Sequence, residues 1–349
     1  MKAFLSRRTV IAGSAVLLSS LGAANRAKAS CQPLSPDWSG VVLFNDGGAS
    51  NVRAQGNLYT GGPAITAETR FNILSLGKMM TGVLVGQLVD AGHVRYSDQV
   101  SVHLPDLPSR IGDLRVGDLL THTSGLGDYI EAENFGAIAA ARSATDLLPL
   151  VLAAPHEAPS APTYSNSGYA VAGALIERIT GQTYRDRLSE HVFAPCEMRS
   201  ASLHPRADDA LAEPAYEALR SGRPSVGTLP GGPAGGAFMN AGDMARFAKT
   251  LLSGGLVSDA TLDVITSIQA ERQPLAADGI RRGWGFGFGV RGEGTERSIG
   301  HTGGLPGFSA ACRIQPSLGR IVVALANQDR LGAAEVSSAV MANPDLCRA

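Results

Sequence analysis

The most constraining feature of this 349-residue chain is a serine and a lysine three residues apart at the start of an apolar segment. Ser75 and Lys78 stand in the sequence FNILSLGKMM, after which apolar residues recur at helical spacing up to Gly92. Residues three apart share one face of a helix, so the Lys78 amine can reach the Ser75 hydroxyl. The pattern predicts a helix that begins near Ser75, with Ser75 as a candidate nucleophile.

The types of the two residues suit nucleophilic catalysis. A serine must lose its proton as it attacks, and a lysine can accept that proton only where burial favours the neutral amine. The free N–H groups at the start of the helix would favour an oxyanion. The ordinary alternative is that Ser75 only caps the helix while Lys78 extends into solvent. The chain contains only four lysines and no other S-x-x-K, which favours the catalytic interpretation.

Residues 1–29 are predicted to be a twin-arginine export signal. Arg7 and Arg8 precede an apolar run, and Ala27-Lys28-Ala29 matches an A-x-A cleavage site. The run is short and interrupted by Gly and Ser, so we expect no stable membrane anchor. The leader carries five basic residues and no acid, so its removal lowers the formal net charge from −1 to −6, which argues against nucleic-acid binding. We therefore expect a periplasmic or secreted protein.

Four cysteines in an exported chain permit disulfides. Cys31 and Cys347 lie at the two ends of the mature chain and are a candidate pair, since the termini of compact domains are often close together. Cys196 and Cys312 are predicted to be small buried residues. The sequence gives no indication of oligomeric state.

The remaining patterns predict one α/β unit over residues 30–349. Strands are predicted at 41–44, 51–59, 283–290, 298–302, 308–315 and 320–326, and helices at 169–180, 185–193, 244–252 and 333–341. Strands at both ends with helices between them predict a single sheet built from both termini. The α/β lobe would comprise about 30–92 and 283–349, and a mainly helical lobe about 93–282. The aperiodic segment 205–236 is predicted to form a rim over a site.

A second candidate element is Tyr164-Ser165-Asn166, the only Y-x-N in the chain. A tyrosine beside a lysine has its charged form favoured, so Tyr164 could take the Ser75 proton or return one to a leaving group. Asn166 is a candidate to hold a substrate amide. The alternative for Tyr164 is a packing residue with a satisfied hydroxyl.

A third element is Gly300-His301-Thr302-Gly303-Gly304, at the end of a predicted strand. Glycines there allow a substrate backbone to lie close to the strand edge. His301, Thr302 and Gly303 are therefore candidate substrate-binding residues, and the Gly304 N–H is a candidate oxyanion donor. His301 alone could equally be structural, and His122 is expected to organise its own loop by hydrogen bonds.

S-x-x-K, Y-x-N and a basic residue before T-G, in this order, resemble the penicillin-recognising serine hydrolases, in the branch of class C β-lactamases, DD-carboxypeptidases and related esterases. The resemblance extends over the mature chain, including LLTHTSGL at 119–126 and PAGG at 233–236. It implies an antiparallel sheet flanked by helices beside a helical lobe, with the site between them. It also implies an acyl-enzyme on Ser75, proton transfer by Lys78 and Tyr164, and an oxyanion hole from the N–H groups of Ser75 and Gly304.

Two departures from the family pattern affect the expected substrate. Tyr164-Ser165-Asn166 replaces the S-D-N of class A enzymes, so their glutamate-held water is not implied. His301 replaces the lysine of K-T-G, and a histidine is only partly charged near neutrality. Related DD-carboxypeptidases, D-amino-acid peptidases and esterases carry histidine there. The resemblance therefore implies activity on D-amino-acid peptides or small esters, with weak β-lactamase activity at most.

Other functions stay open or are disfavoured by the sequence. A true class C-type β-lactamase and a penicillin-binding protein without turnover would use the same residues. The G-x-S-x-G elbow of Ser-His-Asp hydrolases and the H-E-x-x-H of metal hydrolases are both absent, and we predict neither metal nor cofactor. Substrate specificity is expected to reside in segments 205–236 and 131–161.

Overall fold

The computed structural model describes residue 35 and residues 37–48, 50–157, 161–210, 226–272, 278–328 and 332–347. The predicted leader and Cys31 lie outside these residues, so export and the disulfide with Cys347 stay predictions. Residues 211–225 of the predicted rim also lie outside them. Cys196 and Cys312 are buried, which confirms that expectation, and Cys347 is buried as well.

Among the described residues, ten strands form one large sheet and one short pair. In chain order they are β1 (Gly40–Asp46), β2 (Ser50–Gln55), β3 (Phe71–Asn72), β4 (Phe238–Met239), β5 (Ala270–Glu271), β6 (Arg282–Trp284), β7 (Gly289–Arg291), β8 (Ser298–Leu305), β9 (Phe308–Gln315) and β10 (Arg320–Ala326). The large sheet has the order β2-β1-β10-β9-β8-β7-β6-β5, and all its neighbouring strands are antiparallel. Because β1 pairs with β10, with Leu43 opposite Val323, the predicted sheet built from both termini is confirmed.

Most helices lie between the two groups of strands. They are α1 (Gly77–Asp90), α2 (Val100–His103), α3 (Ser109–Gly112), α4 (Val116–Leu120), α5 (Phe135–Ala140), α6 (Leu148–Ala153), α7 (Asn166–Thr180), α8 (Tyr184–Leu188), α9 (Ala241–Leu252), α10 (Asp259–Ile265) and α11 (Ala333–Ala342). A 3₁₀ turn at Leu74–Leu76 precedes α1, and a π-helical turn at Ser189–Phe193 follows α8. The predicted helix 185–193 is therefore two consecutive helical turns of different type.

The sheet packs on both faces. Alternate residues of β1 point to opposite sides, so Val41 and Leu43 join the main core with α1, while Val42 and Phe44 pack with α11. Helix α1 is buried nearly all round, which explains why its sequence is apolar on every side. Gly82 permits this packing, because a Cβ there would lie 2.1 Å from the Phe286 carbonyl oxygen.

The sequence prediction fails at one strand and one strand end. The predicted strand 283–290 is a hairpin of β6 and β7, in which Gly285 donates to the Phe288 carbonyl and Gly287 has φ +90°. Strict alternation of glycine with apolar residues indicated an unbroken strand, but Gly287 can adopt the left-handed conformation that the turn needs. Strand β2 ends at Gln55 instead of Tyr59.

Within the described ranges, none of the helices has the length and apolar character needed to cross a membrane. The same ranges contain no cluster of three or more histidine, cysteine or acidic side chains able to hold a metal ion.

Candidate active site

The candidate nucleophile lies in a strained turn at the centre of the protein. Ser75 is half-buried in the 3₁₀ turn before α1, and Leu74 before it has φ +52°, which is unusual for a bulky residue. The Asn72 side chain accepts the Leu74 N–H at 2.8 Å and holds this turn. Gly235, at φ +133°, packs on it so closely that a Cβ would lie 2.2 Å from the Leu74 carbonyl oxygen. The surrounding chain therefore maintains the strain and fixes the Ser75 side chain.

Lys78 is fully buried one turn from Ser75, as the sequence predicted. Its Nζ lies 2.7 Å from Asn166 Oδ1, 2.6 Å from the Ala234 carbonyl oxygen and 3.3 Å from Ser75 Oγ. Burial lowers the pKa of Lys78 to about 7, and the negative charge of Asp128 limits the decrease. A neutral amine has two N–H donors, which Asn166 and Ala234 accept. Its lone pair is then available to accept the Ser75 proton.

Tyr164 is the second side chain that contacts Ser75 Oγ. Its hydroxyl donates to Ser75 Oγ at 2.7 Å, and Lys78 Nζ lies 4.9 Å from its ring centroid. Burial raises the pKa of Tyr164 to about 12, although 41% of the residue is exposed, and the hydrogen bond with Ser75 opposes this shift. The expectation that the lysine would favour a tyrosinate is therefore wrong. With Lys78 half-neutral near pH 7, Tyr164 stays a neutral phenol and a proton donor.

Asn166 has a structural contact on each side of its amide. Besides accepting from Lys78, it donates through Nδ2 to Asp128 Oδ2 at 2.6 Å. Sequence analysis did not find Asp128, because a single aspartate after Gly127 carries no distinctive pattern. These two hydrogen bonds, from Lys78 to Asn166 and from Asn166 to Asp128, orient the Lys78 amine toward Ser75. The predicted contact of Asn166 with a substrate amide stays a prediction.

The Gly300 to Gly304 segment lies beside the nucleophile. A Cβ on Gly303 would lie 2.5 Å from Leu74 Cβ and 2.9 Å from Ser75 N, so only glycine lets β8 approach this closely. Thr302 is exposed, and Gly304 lines the same cavity as Ser75. The oxyanion role of the Ser75 and Gly304 N–H groups stays a prediction.

His301 is buried, with 6% of its surface exposed, and its Nδ1 lies 2.6 Å from the Thr302 carbonyl oxygen. Burial, followed by the charge of Lys78, lowers the pKa of His301 to about 3. The expected partial positive charge near neutrality is therefore wrong for the free enzyme. The histidine is a neutral group whose Nδ1–H donates to Thr302.

The His122 ring packs against the Tyr164 ring. The His122 ring stacks on the Tyr164 ring with centroids 4.3 Å apart and meets Trp284 edge-on at 4.5 Å. Its Nδ1 accepts the Ser165 N–H at 3.1 Å, and its carbonyl accepts the Thr163 N–H at 2.8 Å. These bonds confirm that His122 organises its loop. Burial lowers its pKa to about 2, so the ring is neutral.

We expect His122→Asn to lower kcat/KM roughly tenfold, because the Tyr164 ring loses its stacking partner. Asparagine suits the φ of +62° at this position, so the change adds little backbone strain. The measurement is steady-state hydrolysis of an activated ester, with His191→Asn as a control at a histidine away from Ser75. Equal rates for both variants would show that the stack does not position Tyr164.

A cavity of ≈ 270 Å³ opens beside Ser75. Tyr164, Asn166 and Asp128 line it on one side, and segment 229–236 lines it on the other. Residues 229–236 of the predicted rim thus border the site. Residues between 129 and 147 also contribute to the walls, and the role of segments 205–236 and 131–161 in substrate specificity stays a prediction.

A sequence model of the family described as beta-lactamase matches residues 39–342. The chain belongs to the β-lactamase family. This confirms the resemblance to penicillin-recognising serine hydrolases, and the chain is a serine hydrolase of that family.

Two curated relatives and one solved structure illustrate the similarity. Penicillin-binding protein 4 of Amycolatopsis lactamdurans is 28% identical over 312 residues, which cover 82% of this chain and 80% of the relative. A D-aminopeptidase of Cereibacter sphaeroides (strain KD131) is 30% identical over 286 residues, 78% of this chain but only 52% of the relative. The crystal structure of a penicillin-binding protein from Bacillus halodurans superposes with a TM-score of 0.73 at 24% identity, covering 88% of this chain and 96% of the other. The structural likeness confirms the fold.

Proposed function

We propose that this β-lactamase-family hydrolase forms an acyl-enzyme on Ser75 and hydrolyses D-amino-acid peptides or amides, or small esters, with weak β-lactamase activity at most. One observation carries the proposal: Ser75 Oγ lies 2.7 Å from a neutral tyrosine donor and 3.3 Å from a lysine whose pKa is about 7. This arrangement supplies both a base for the nucleophile and an acid for the leaving group.

The contacts support the following sequence of proton transfers. As Ser75 Oγ bonds to the substrate carbonyl carbon, its proton moves to the lone pair of Lys78. When the tetrahedral intermediate collapses, the bond to the leaving group breaks and Tyr164 gives its proton to that group. The Lys78 ammonium then restores the Tyr164 proton. Water releases the acyl group by the reverse transfers, which regenerates Ser75.

The substrate class rests on the relatives and on His301. One relative is named a D-aminopeptidase and another a penicillin-binding protein, which supports acyl groups derived from D-amino acids. Because burial keeps His301 neutral, the free site lacks at this position the fixed positive charge that a β-lactam carboxylate would meet on a lysine. A penicillin-binding protein without turnover is the second candidate, since Ser75 would acylate in the same way. We also propose export by the twin-arginine leader, which would bring the enzyme to such substrates.

The test is parallel exposure of the mature protein to benzylpenicillin, D-alanine p-nitroanilide and p-nitrophenyl acetate. We expect multiple turnover of the anilide or the ester, slow penicillin consumption, and intact-mass adducts on Ser75. L-Alanine p-nitroanilide is the matched control for the D-substrate. A lasting penicillin adduct without turnover of any substrate would favour the binding protein, and rapid penicillin hydrolysis would favour the β-lactamase.

A further inference from the structure

Segment 233–235 forms part of the wall of the cavity beside Ser75. Three contacts hold this segment: Gly235 packs on the Ser75 turn, the Ala234 carbonyl accepts from Lys78, and the Pro233 carbonyl accepts from Thr81 Oγ1 at 2.7 Å. This part of the wall is therefore fixed to the Ser75 turn and to α1.

Part of the cavity wall is apolar, with Ile130, Ile138, Leu147, Leu203 and Leu229 among its lining residues. Such a wall favours the burial of methylene groups or apolar side chains.

Charged residues also line the cavity. One of them is Glu177, but its carboxylate oxygens accept the N–H groups of Ala144, Thr145 and Tyr184 and the Thr145 hydroxyl, at 2.7 to 2.9 Å. These donors lie at the beginnings of two helical segments, which compensate the negative charge. The Glu177 carboxylate therefore connects residues 144–145 to Tyr184 and has its oxygens already hydrogen-bonded.

Arg185 also lines the cavity, without such compensation. Across the described ranges it forms no ion pair, and its Nε is buried without a hydrogen-bond acceptor. The other arginine of the lining, Arg142, is exposed and influences Asp146, whose pKa it helps to lower. Buried donors normally have acceptors, so the Arg185 guanidinium has the position and the free capacity to bind an anion entering the cavity.

We propose that the cavity accepts acyl groups that carry a carboxylate at the far end of an apolar spacer, and that Arg185 binds this carboxylate. The proposal rests on Ser75 as the acylation site and specifies its substrate class. With the scissile carbonyl at Ser75, the apolar spacer would contact the apolar part of the wall and its terminal carboxylate would bind Arg185.

The test compares two esters of equal length, p-nitrophenyl octanoate and the mono-p-nitrophenyl ester of octanedioic acid. We expect wild type to hydrolyse the octanedioate ester with a kcat/KM about tenfold higher than that for octanoate. In Arg185→Gln the ratio of the two values should fall about tenfold, to near one, as for loss of a charge-assisted hydrogen bond. Arg187→Gln on the same helix is the matched control, because Arg187 does not line the cavity and contacts Gln182 and His191.

A second measurement separates this proposal from the catalytic one. Calorimetry on Ser75→Ala should show tighter binding of octanedioate than of octanoate, and the added Arg185→Gln change should remove that difference. This readout needs no turnover, so it holds even if Ser75 is not the nucleophile. Equal binding of the two acids, or a preference that persists without Arg185, would overturn the proposal and leave an acyl pocket that selects only for apolar groups.

Discussion

Ser75→Ala is expected to abolish acylation and to lower kcat for ester and D-amino-acid amide hydrolysis by roughly 10⁴- to 10⁶-fold, the range typical of losing a serine nucleophile. The reason is geometric: Lys78 Nζ and Tyr164 Oη both converge on Ser75 Oγ, at 3.3 and 2.7 Å. Without that oxygen the base and the acid have no common partner. The remaining cavity can bind substrate but cannot form the acyl-enzyme.

Intact-mass measurement after exposure to benzylpenicillin, alongside initial-rate assays, checks this expectation. Ser338→Ala is the matched control, because Ser338 is an exposed serine on α11 whose hydroxyl donates to the Ala334 carbonyl. We expect the control to keep wild-type rates and both variants to unfold at similar temperatures. Wild-type turnover by Ser75→Ala would remove Ser75 from the mechanism and require another nucleophile.

The sequence predicted the site better than it predicted the electrostatics of the site. Ser75 and Lys78 are linked by helical geometry, so their proximity could be predicted from spacing alone. The contact of Tyr164 with Ser75 could not be predicted from spacing, since no local pattern joins residues 89 positions apart. It was implied by the family resemblance. The pKa values depend on three-dimensional burial, which the sequence does not display. That is why the predicted tyrosinate at Tyr164 and the predicted charge on His301 were both wrong.

The residues that sequence reasoning missed share one property: they act through other residues. Asp128 reaches Lys78 only through Asn166, and Trp284 reaches Tyr164 through the His122 ring as well as directly. A lone aspartate or tryptophan in a sequence has many ordinary explanations, so its position in space decides its role. The hairpin at 285–288 was missed for a related reason, because the close packing of Gly287 on α1 is a tertiary requirement.

Lys78→Met is the second variant with a large expected effect. Methionine has a similar length and suits the buried position, but it cannot accept a proton, so acylation should slow by about 10²- to 10⁴-fold. The change leaves the acceptors Asn166 Oδ1 and Ala234 O without their donor, which costs about 1–3 kcal/mol for each buried group. Removing a desolvated amine offsets part of this cost. We therefore expect a modest change in melting temperature beside a large loss of rate.

The pH dependence of acylation distinguishes a base from a merely structural lysine. Because burial lowers the pKa of Lys78 to about 7, its amine is protonated below that pH and has no lone pair for the Ser75 proton. Wild-type kcat/KM should therefore rise with pH through about 7 and level off above it. Lys78→Met should lack this rising limb, while Lys249→Met, at an exposed lysine on α9, should keep it. A wild-type profile that is flat between pH 5.5 and 8.5 on the same substrate would assign the Ser75 proton to a group other than Lys78.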